Sequence, residues 1–421
     1  MSSPPAVEDE DSASKVLMDE YLVGDILKCL HCPTCFARAA LIRKNWLRNA
    51  VAQDIIHSFC SRQSPHLLGV YIYTEDFSKP EFVPLDDALS SELGGALRHG
   101  NFRFDNMDTF FSHVWDCRND RILYGFSGSF KFPLDLAVRM PLHPLGQDTS
   151  MLLPQLPTTW QEFPHAMFLP DEDGDDSSCY SLDIAYKNHT VYANVFVLRG
   201  GSWDTHCTAM ADLVRPPKEI LTRSLLMHGK IYMLTKAGYI LALHLANRSF
   251  FTVDLPRGVE FEYFSNLALC RGDNSILYLF HLKGDKLSIW MQRMNDHLKG
   301  DKLIVSTTCL QSMDGNSAAA QWVLSDTISL HEACGHIRVQ GCMGDVSVVG
   351  IGDNAEFVFL ELEENGIIVY MHIKSRKVKV VYQRGPDNDM AIRVLPFMMV
   401  WPVVLPKLGA GESKSEGLYQ E

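Results

Sequence analysis

The sequence predicts an α+β protein divided by domain: a small N-terminal unit of three helices, then an all-β, propeller-like domain of about six irregular blades. Three observations carry this. Apolar residues recur at three- and four-residue steps from about Lys15 to Arg62; beyond residue 66 the period changes to two; and the short strand runs group into meanders of about 45–55 residues.

The chain opens on "MSSPPAVEDEDSAS" (1–14), acidic, rich in Ser and Pro and without an apolar core, which is expected to be a disordered tail and not a secretory signal. In the first helix Asp19 is placed to cap, and Leu22, Ile26, Leu27 and Leu30 make one apolar stripe, with Cys29 continuing the line of Leu22 and Ile26, until Pro33 interrupts. A second helix is expected over about 34–50. Phe36, Ala39, Ala40, Ile42, Trp46 and Leu47 lie on one side of it, with Arg38, Arg43, Lys44 and Arg48 largely elsewhere. The third helix is "QDIIHSFCSR" (53–62), with Ile55, Ile56 and Phe59 at similar spacing. This helical unit is assigned to 15–62, and "SRQSP" connects it to the β domain.

From 66 to 405 the runs "LLGVYIY", "TVYANVFVL", "GKIYMLT", "YILALHL", "SFFTVDL", "EFVFLELE" and "GIIVYMHI" are rich in Val, Ile, Tyr, Phe and Leu, and close at turns such as "TKAG", "ANRS", "LKGDK" and "EENG". Residues 227–256, 267–292 and 355–383 each read as strand, tight turn, strand, tight turn, strand. Repetition of that rhythm predicts propeller blades; a sandwich or several stacked sheets is the other arrangement the pattern allows. The most apolar stretch, "VLPFMMVWPVVLP" (394–406), is cut by Pro396 and Pro402 and is shorter than the roughly 20 residues a membrane helix needs, so it is expected to be a buried strand pair. Residues 406–421 are expected to form a second disordered tail.

Bulk properties narrow the function. Of 421 residues, 51 are Asp or Glu against 38 Lys or Arg, a formal charge of −13 that opposes a phosphate-binding surface and makes nucleic acid an unexpected partner. Neither a leader nor a membrane span is evident, so a cytoplasmic or nuclear location is expected. Eleven cysteines, an odd number dispersed along the chain, read as reduced thiols used mostly as small core residues.

Motifs of chemistry are weak. "CLHCPTC" (29–35) has thiol spacing without a fourth ligand and reads as core or turn; "HEACGH" (331–336) and "SWDTHC" (202–207) read as strand edge or loop with incidental histidines. "LPDEDGDDSSC" (169–179) lacks the spacing of a helix-loop-helix calcium site and reads as a solvated loop. Trp115-Asp116 is not repeated at blade period, and Gly94-Gly95 and Gly200-Gly201 stand isolated, so neither common repeat class of propellers is indicated. A phosphate loop, a nucleophile elbow and a His-Glu-x-x-His segment are all missing, and no catalytic residue, metal site or cofactor is expected.

A helical unit of about 45 residues is below the size at which one core is usually self-sufficient, yet it carries several large apolar residues per helix. Either the β domain covers them or a second protein does, and the abrupt change of period favours a second protein.

The residues also carry a resemblance. Leu17, Asp19 and Leu22, then "DILKCL", a Pro, and a helix ending "LIRKNWLRN" followed by Asp54 resemble the F-box. The phrases "HGKIYMLTKAGYILALHLANRSFFTVDLP", "NLALCRGDNSILYLFHLKGDKLSIWMQ" and "WPVVLP" are similar to the propeller-type associated domain of a plant, especially grass, F-box family. The resemblance implies a non-catalytic substrate-recognition subunit of an SCF-type cullin-RING ubiquitin ligase, its F-box bound to a Skp-family adaptor and its β domain to a target protein. It places the adaptor-facing positions at Leu17, Leu22, Ile26, Leu27, Leu30, Leu41, Ile42 and Trp46. Met18, Asp25 and Arg43 depart from the family's Pro, Glu and Cys, and Gly24 is expected to weaken the first helix by about 0.5–1 kcal/mol relative to Ala. The alternatives are a propeller interaction protein with a degenerate F-box and no ligase role, and a propeller enzyme using the Cys/His clusters.

Overall fold

The computed structural model describes residues 19–30, 33–60, 66–74, 80–90, 94–104, 111–118, 120–127, 134–142, 150–157, 165–170, 178–263, 265–294, 321–335, 337, 345–385 and 391–399. The expectations for both tails, for Leu17, and for the part of "VLPFMMVWPVVLP" beyond Met399 lie outside these residues.

Where three helices were expected, the described residues of the helical unit form four: α1 (Glu20–Cys29), α2 (Pro33–Ala40), α3 (Lys44–Ala50) and α4 (Gln53–Cys60). Asp19 caps α1 as its position predicts, its carboxylate accepting the Tyr21 and Leu22 N–H groups at 2.9 and 3.3 Å. The expected second helix breaks at Leu41–Arg43, where Arg43 is extended at φ −150°, ψ 158°. A continuous helix would hold Phe36 and Trp46 about 15 Å apart along its axis and roughly 80° apart around it. The break brings both into one small core with Val23, Leu27, Ala40, Ala50, Ile55 and Phe59, where the Phe36 and Phe59 rings meet at 4.4 Å. Among the described residues, the buried members of that core all come from the four helices. Gly24 sits at the crossing of α1 and α4, where an added Cβ would lie 3.3 Å from Ile55 Cδ1, so an Ala there gains helix propensity only by displacing Ile55.

Six sheets follow. The second blade is β3 (Phe111–Arg118), β4 (Arg121–Ser127), β5 (Asp135–Arg139) and β6 (Met151–Leu153); the third is β7 (Ala166–Phe168), β8 (Cys179–Lys187), β9 (Thr190–Arg199) and β10 (Ser202–Asp212). The fourth is β11 (Ile220–Met227), β12 (Lys230–Thr235), β13 (Tyr239–His244) and β14 (Ser249–Asp254), and the fifth β15 (Leu267–Gly272), β16 (Ile276–Lys283), β17 (Lys286–Arg293) and β18 (Val323–Ser329). The sixth is β19 (Val346–Ile351), β20 (Phe357–Leu362), β21 (Ile367–His372) and β22 (Val378–Gln383). All pairings within these blades are antiparallel.

The first blade is made from both ends of the domain: β1 (His66–Thr74) pairs β2 (Glu81–Pro84) on one side and the last described strand, β23 (Ala391–Met399), on the other. The expected strand pair at 394–406 is thus a single strand within the described residues, and its partner is β1. Inner strands neighbour one another in the order β23, β3, β7, β11, β15, β19 and back to β23, which closes a six-bladed propeller. Each of six apolar clusters lies between consecutive blades, the last holding Val70 and Ile72 of β1, Val349, Phe357 and Phe359 of blade six, and Val394 of β23. Closure gives every blade a neighbour on both sides, so the apolar surface at each junction is buried within the ring.

Near the start of the β domain the described residues include two helices that were not anticipated, α5 (Asp86–Ser90) and α6 (Gly94–His99); Ala88 and Leu97 from them cover the junction of blades one and two. Gly200 and Gly201, isolated in sequence, form the two-residue turn between β9 and β10 with φ of 54° and 79°, a left-handed pair suited to a tight hairpin. No helix among the described residues is long and apolar enough to cross a membrane.

Candidate functional site

The sequence-derived contact positions divide between the inside and the outside of the helical unit. On α1, Val23 and Leu27 point inward with Leu30 packed against them, while Leu22 and Ile26 form a second stripe outside, 42% and 37% exposed. One expected stripe is therefore two, because steps of four residues join Leu22 to Ile26 and Val23 to Leu27 on adjacent faces. Cys29, three residues after Ile26, is exposed on the same outer side and continues the Leu22–Ile26 stripe. At the break between α2 and α3, Leu41 and Ile42 are 65% and 62% exposed, whereas Trp46, one turn into α3, is only 5% exposed. Leu27 and Trp46 support the unit from within, so their side chains are not open to a partner. The sequence reading missed Tyr21, 89% exposed beside Leu22; a Tyr in the first turn after a capping Asp, off the inward stripe, was its available signal.

The Cys/His motifs separate in space. "HEACGH" contributes a short helix, α7 (Leu330–Cys334), capped by Ser329, instead of a strand edge or loop; His331 and Glu332 are exposed while Cys334 is sealed among the apolar residues of blades five and six. His336 lies outside the described residues. "SWDTHC" is β10: the Trp203 indole N–H donates to the Pro154 carbonyl at 2.8 Å, Cys207 is buried in the junction of blades three and four, and His206 stands against Tyr180 at 5.6 Å. Burial pushes the Cys207 thiol up and, with Arg199 and Arg248, the His206 imidazole down, the reverse of a thiolate–imidazolium pair. Residues 171–177 of the acidic stretch, and His31 and Cys32 of "CLHCPTC", lie outside the described residues. Among the described residues, no three His, Cys, Asp or Glu side chains are placed to share a metal ion.

Inner strands of the propeller carry charged side chains. Arg223 of β11 donates from Nη1 to the Val348 carbonyl of β19 at 2.7 Å, reaching from blade four to blade six. Arg393 of β23, on the blade opposite β11, is close enough for its charge to act on both Arg223 and His113 of β3. Burial, then Arg393, lowers the Arg223 pKa to about 10 and holds His113 at about 3, a neutral imidazole. Arg393 is itself lowered by burial, with Asp116 and Cys117 opposing. Asp116 Oδ2 accepts the Leu169 N–H at 2.9 Å and lies 3.9 Å from Arg118 Nε. The Ser112 hydroxyl of β3 and the Ser224 hydroxyl of β11 are buried without a hydrogen-bond partner among the described residues.

Comparison with known proteins agrees with this architecture. The family model described as "F-box protein AT5G49610-like, beta-propeller" matches residues 113–320 and 312–405, well over half of the chain. No curated protein matches in sequence. Solved structures with loose similarity include the GH93 alpha-L-arabinofuranosidase of Fusarium graminearum, at TM-score 0.34 and 9% identity over 68% of this chain and 83% of that one. Others are a putative 6-phosphogluconolactonase of Bacteroides fragilis (TM-score 0.34, 10% identity, 66% and 67% covered) and a protein of Lactobacillus plantarum (TM-score 0.35, 9% identity, 79% and 98% covered). Likeness of this degree carries nothing about activity. Through its six-bladed propeller, the chain belongs to the AT5G49610-like family of F-box proteins.

Proposed function

We propose that this chain is the substrate-recognition subunit of an SCF-type cullin-RING ubiquitin ligase, its helical unit serving as the F-box that docks on a Skp-family adaptor and its propeller holding the protein to be ubiquitinated. One observation carries the reading: a helical unit with its own core leaves Tyr21, Leu22, Ile26, Leu41 and Ile42 bare, in a chain whose propeller is of an F-box family. Apolar side chains of this size on so small a unit favour burial against a second protein. In this reading Leu22, Ile26, Leu41 and Ile42 make the contact, while Leu27 and Trp46 hold their backbone in place. The chain itself makes and breaks no covalent bond; it raises the concentration of a target lysine near the conjugating enzyme.

Full burial of a Leu or Ile contributes about 1.5–3 kcal/mol, so sealing Leu41 and Ile42, each about two-thirds exposed, contributes on the order of 2–4 kcal/mol together. Leu41→Asp with Ile42→Asp in the full-length chain is therefore expected to weaken adaptor binding by roughly 30- to 700-fold or more. Co-purification of the tagged chain with a Skp-family adaptor and a cullin is the direct test. Failure of the wild-type protein to retain the adaptor would refute the ligase reading.

A further inference from the structure

We propose that the turns closing the outer hairpins of blades four and six are a pair of pH-sensitive switches, each held shut by a neutral histidine and released when that ring takes up a proton. This inference rests on the propeller alone and stands whether or not the helical unit recruits a ligase. His244 is the last residue of β13 and His372 the last of β21, so each stands where the third strand of its blade turns into the fourth, and both turns lie at the same end of the ring. Both residues are half-buried. His244 Nδ1 is 3.3 Å from the Asn247 amide nitrogen, and His372 Nδ1 is 3.1 Å from the Ser375 amide nitrogen. A backbone N–H can only donate, so in both rings Nδ1 is the acceptor and the imidazole is the neutral tautomer with its hydrogen on Nε2. The third strands of blades two, three and five end instead on Arg139, Arg199 and Arg293, whose guanidiniums offer no acceptor.

Protonation removes that acceptor. An imidazolium carries a hydrogen on each nitrogen, so Nδ1 then meets the amide donor to donor and the turn loses the bond that closes it. In blade six the loss spreads, because the Ser375 hydroxyl is 3.1 Å from the same Nδ1 and accepts the Lys377 N–H at 3.4 Å. Each turn also holds an arginine in the left-handed region, Arg248 at φ 53° and Arg376 at φ 57°, a backbone that residues other than glycine rarely keep without support. The charge that a proton adds to His244 falls beside Arg248 of its own turn, Lys230 opposite it on β12, and the turn of His228, whose Gly229 carbonyl accepts the Leu245 N–H. At His372 it falls beside Lys374, Arg376 and Lys377. The acidic groups on that side are Glu356, whose carbonyl accepts the Ile373 N–H, and Asp326 of β18, already paired with Arg376 Nη2 at 2.6 Å.

The test is amide-resolved hydrogen exchange of the full-length protein at pH 7.5 and pH 5, which span histidine titration, with rates corrected for the intrinsic effect of pH. Protection of the Asn247, Ser375 and Lys377 amides is expected to fall about threefold to tenfold at pH 5, the worth of one hydrogen bond, while the β12–β13 and β20–β21 ladders keep theirs. His244→Ala and His372→Ala should each give the low protection at both pH values in its own turn and leave the other turn responsive. If a variant does not fold, the nitrogen spectrum of the wild-type histidine rings decides, since Nδ1 of both residues should carry no hydrogen at pH 7.5. Equal protection at the two pH values, a uniform loss across the whole propeller, or a hydrogen on Nδ1 at pH 7.5 would overturn the proposal.

Discussion

The propeller and the helical unit solve the same problem with unequal success. Each propeller blade has two apolar faces, and each face finds a neighbouring blade, the last junction being closed when β23 enters the sheet begun by β1. In the helical unit, four short helices bury Trp46, Phe36 and Phe59 and run out of partners before reaching Leu41 and Ile42. Closure, more than composition, decides which region is complete by itself. A ring of sheets covers the faces between its blades and leaves apolar residues such as Leu152, Met210, Val323 and Val380 exposed singly on outermost strands, while an open cluster of about 40 residues leaves Leu22, Ile26, Leu41 and Ile42 exposed.

The comparison breaks most sharply at the closure. Deleting residues 391–399 removes an inner strand and opens two junctions, and cooperative thermal unfolding of the propeller is expected to be lost altogether. A single truncation is gentler. Phe397, 1% exposed against Tyr71, Phe82 and Phe102, should cost about 3–5 kcal/mol as Phe397→Ala in denaturant titration. Trp46→Ala should cost a similar amount, but the loss should appear only in the transition of the helical unit and leave that of the propeller unchanged. A shift of both transitions together would mean that the two regions do not keep separate cores.

A further prediction uses the His113 imidazole. Folding lowers the His113 pKa to about 3, whereas the unfolded chain binds the proton near 6.5. Above pH 6.5 neither state is charged and the residue is neutral to stability. As pH falls from 6.5 toward 3 the unfolded state gains a proton that the folded state refuses, so propeller stability should drop by about 1.4 kcal/mol per pH unit from this group. His113→Asn should flatten that part of the slope, as read from denaturation midpoints at pH 7, 6, 5 and 4.

The smallest expected effect on stability falls at the residues proposed to contact the adaptor. Leu41→Ala and Ile42→Ala should each change unfolding free energy by no more than about 0.5 kcal/mol, because solvent already reaches both side chains. Adaptor binding should nevertheless fall with each. A stability loss as large as that of Trp46→Ala would mean that the chain itself covers these residues.

How much of this was readable depended on how cleanly each strand or helix alternates. The runs "KIYMLT", "YILALH" and "SFFTVD" became β12, β13 and β14, joined by the turns their residues demand. The inner strand of that blade, "ILTRSLLM", was missed, because Thr222, Arg223 and Ser224 interrupt its apolar pattern, and an inner strand can carry such polar residues because it borders the ring's axis. Blade three's inner strand is only Ala166–Phe168, too short for periodicity to register, and β18 stands far along the chain from β17. "DDALSSELGGALRH" carried two helices whose few apolar positions were lost among strand signals. In the helical unit, spacing identified which residues are apolar, but two stripes share α1, and which one faces inward depends on where α3 and α4 pack. That depends on the break at Leu41–Arg43, which local propensity did not reveal.

Hydrogen exchange of the full-length protein, with and without a Skp-family adaptor, tests the central claim most directly. The account predicts that the adaptor slows exchange in residues 19–50, most of all around Leu22, Ile26, Leu41 and Ile42, and leaves the propeller strands unchanged. Exchange that is unaltered throughout, or protection that falls on the blades instead of the helices, would contradict it.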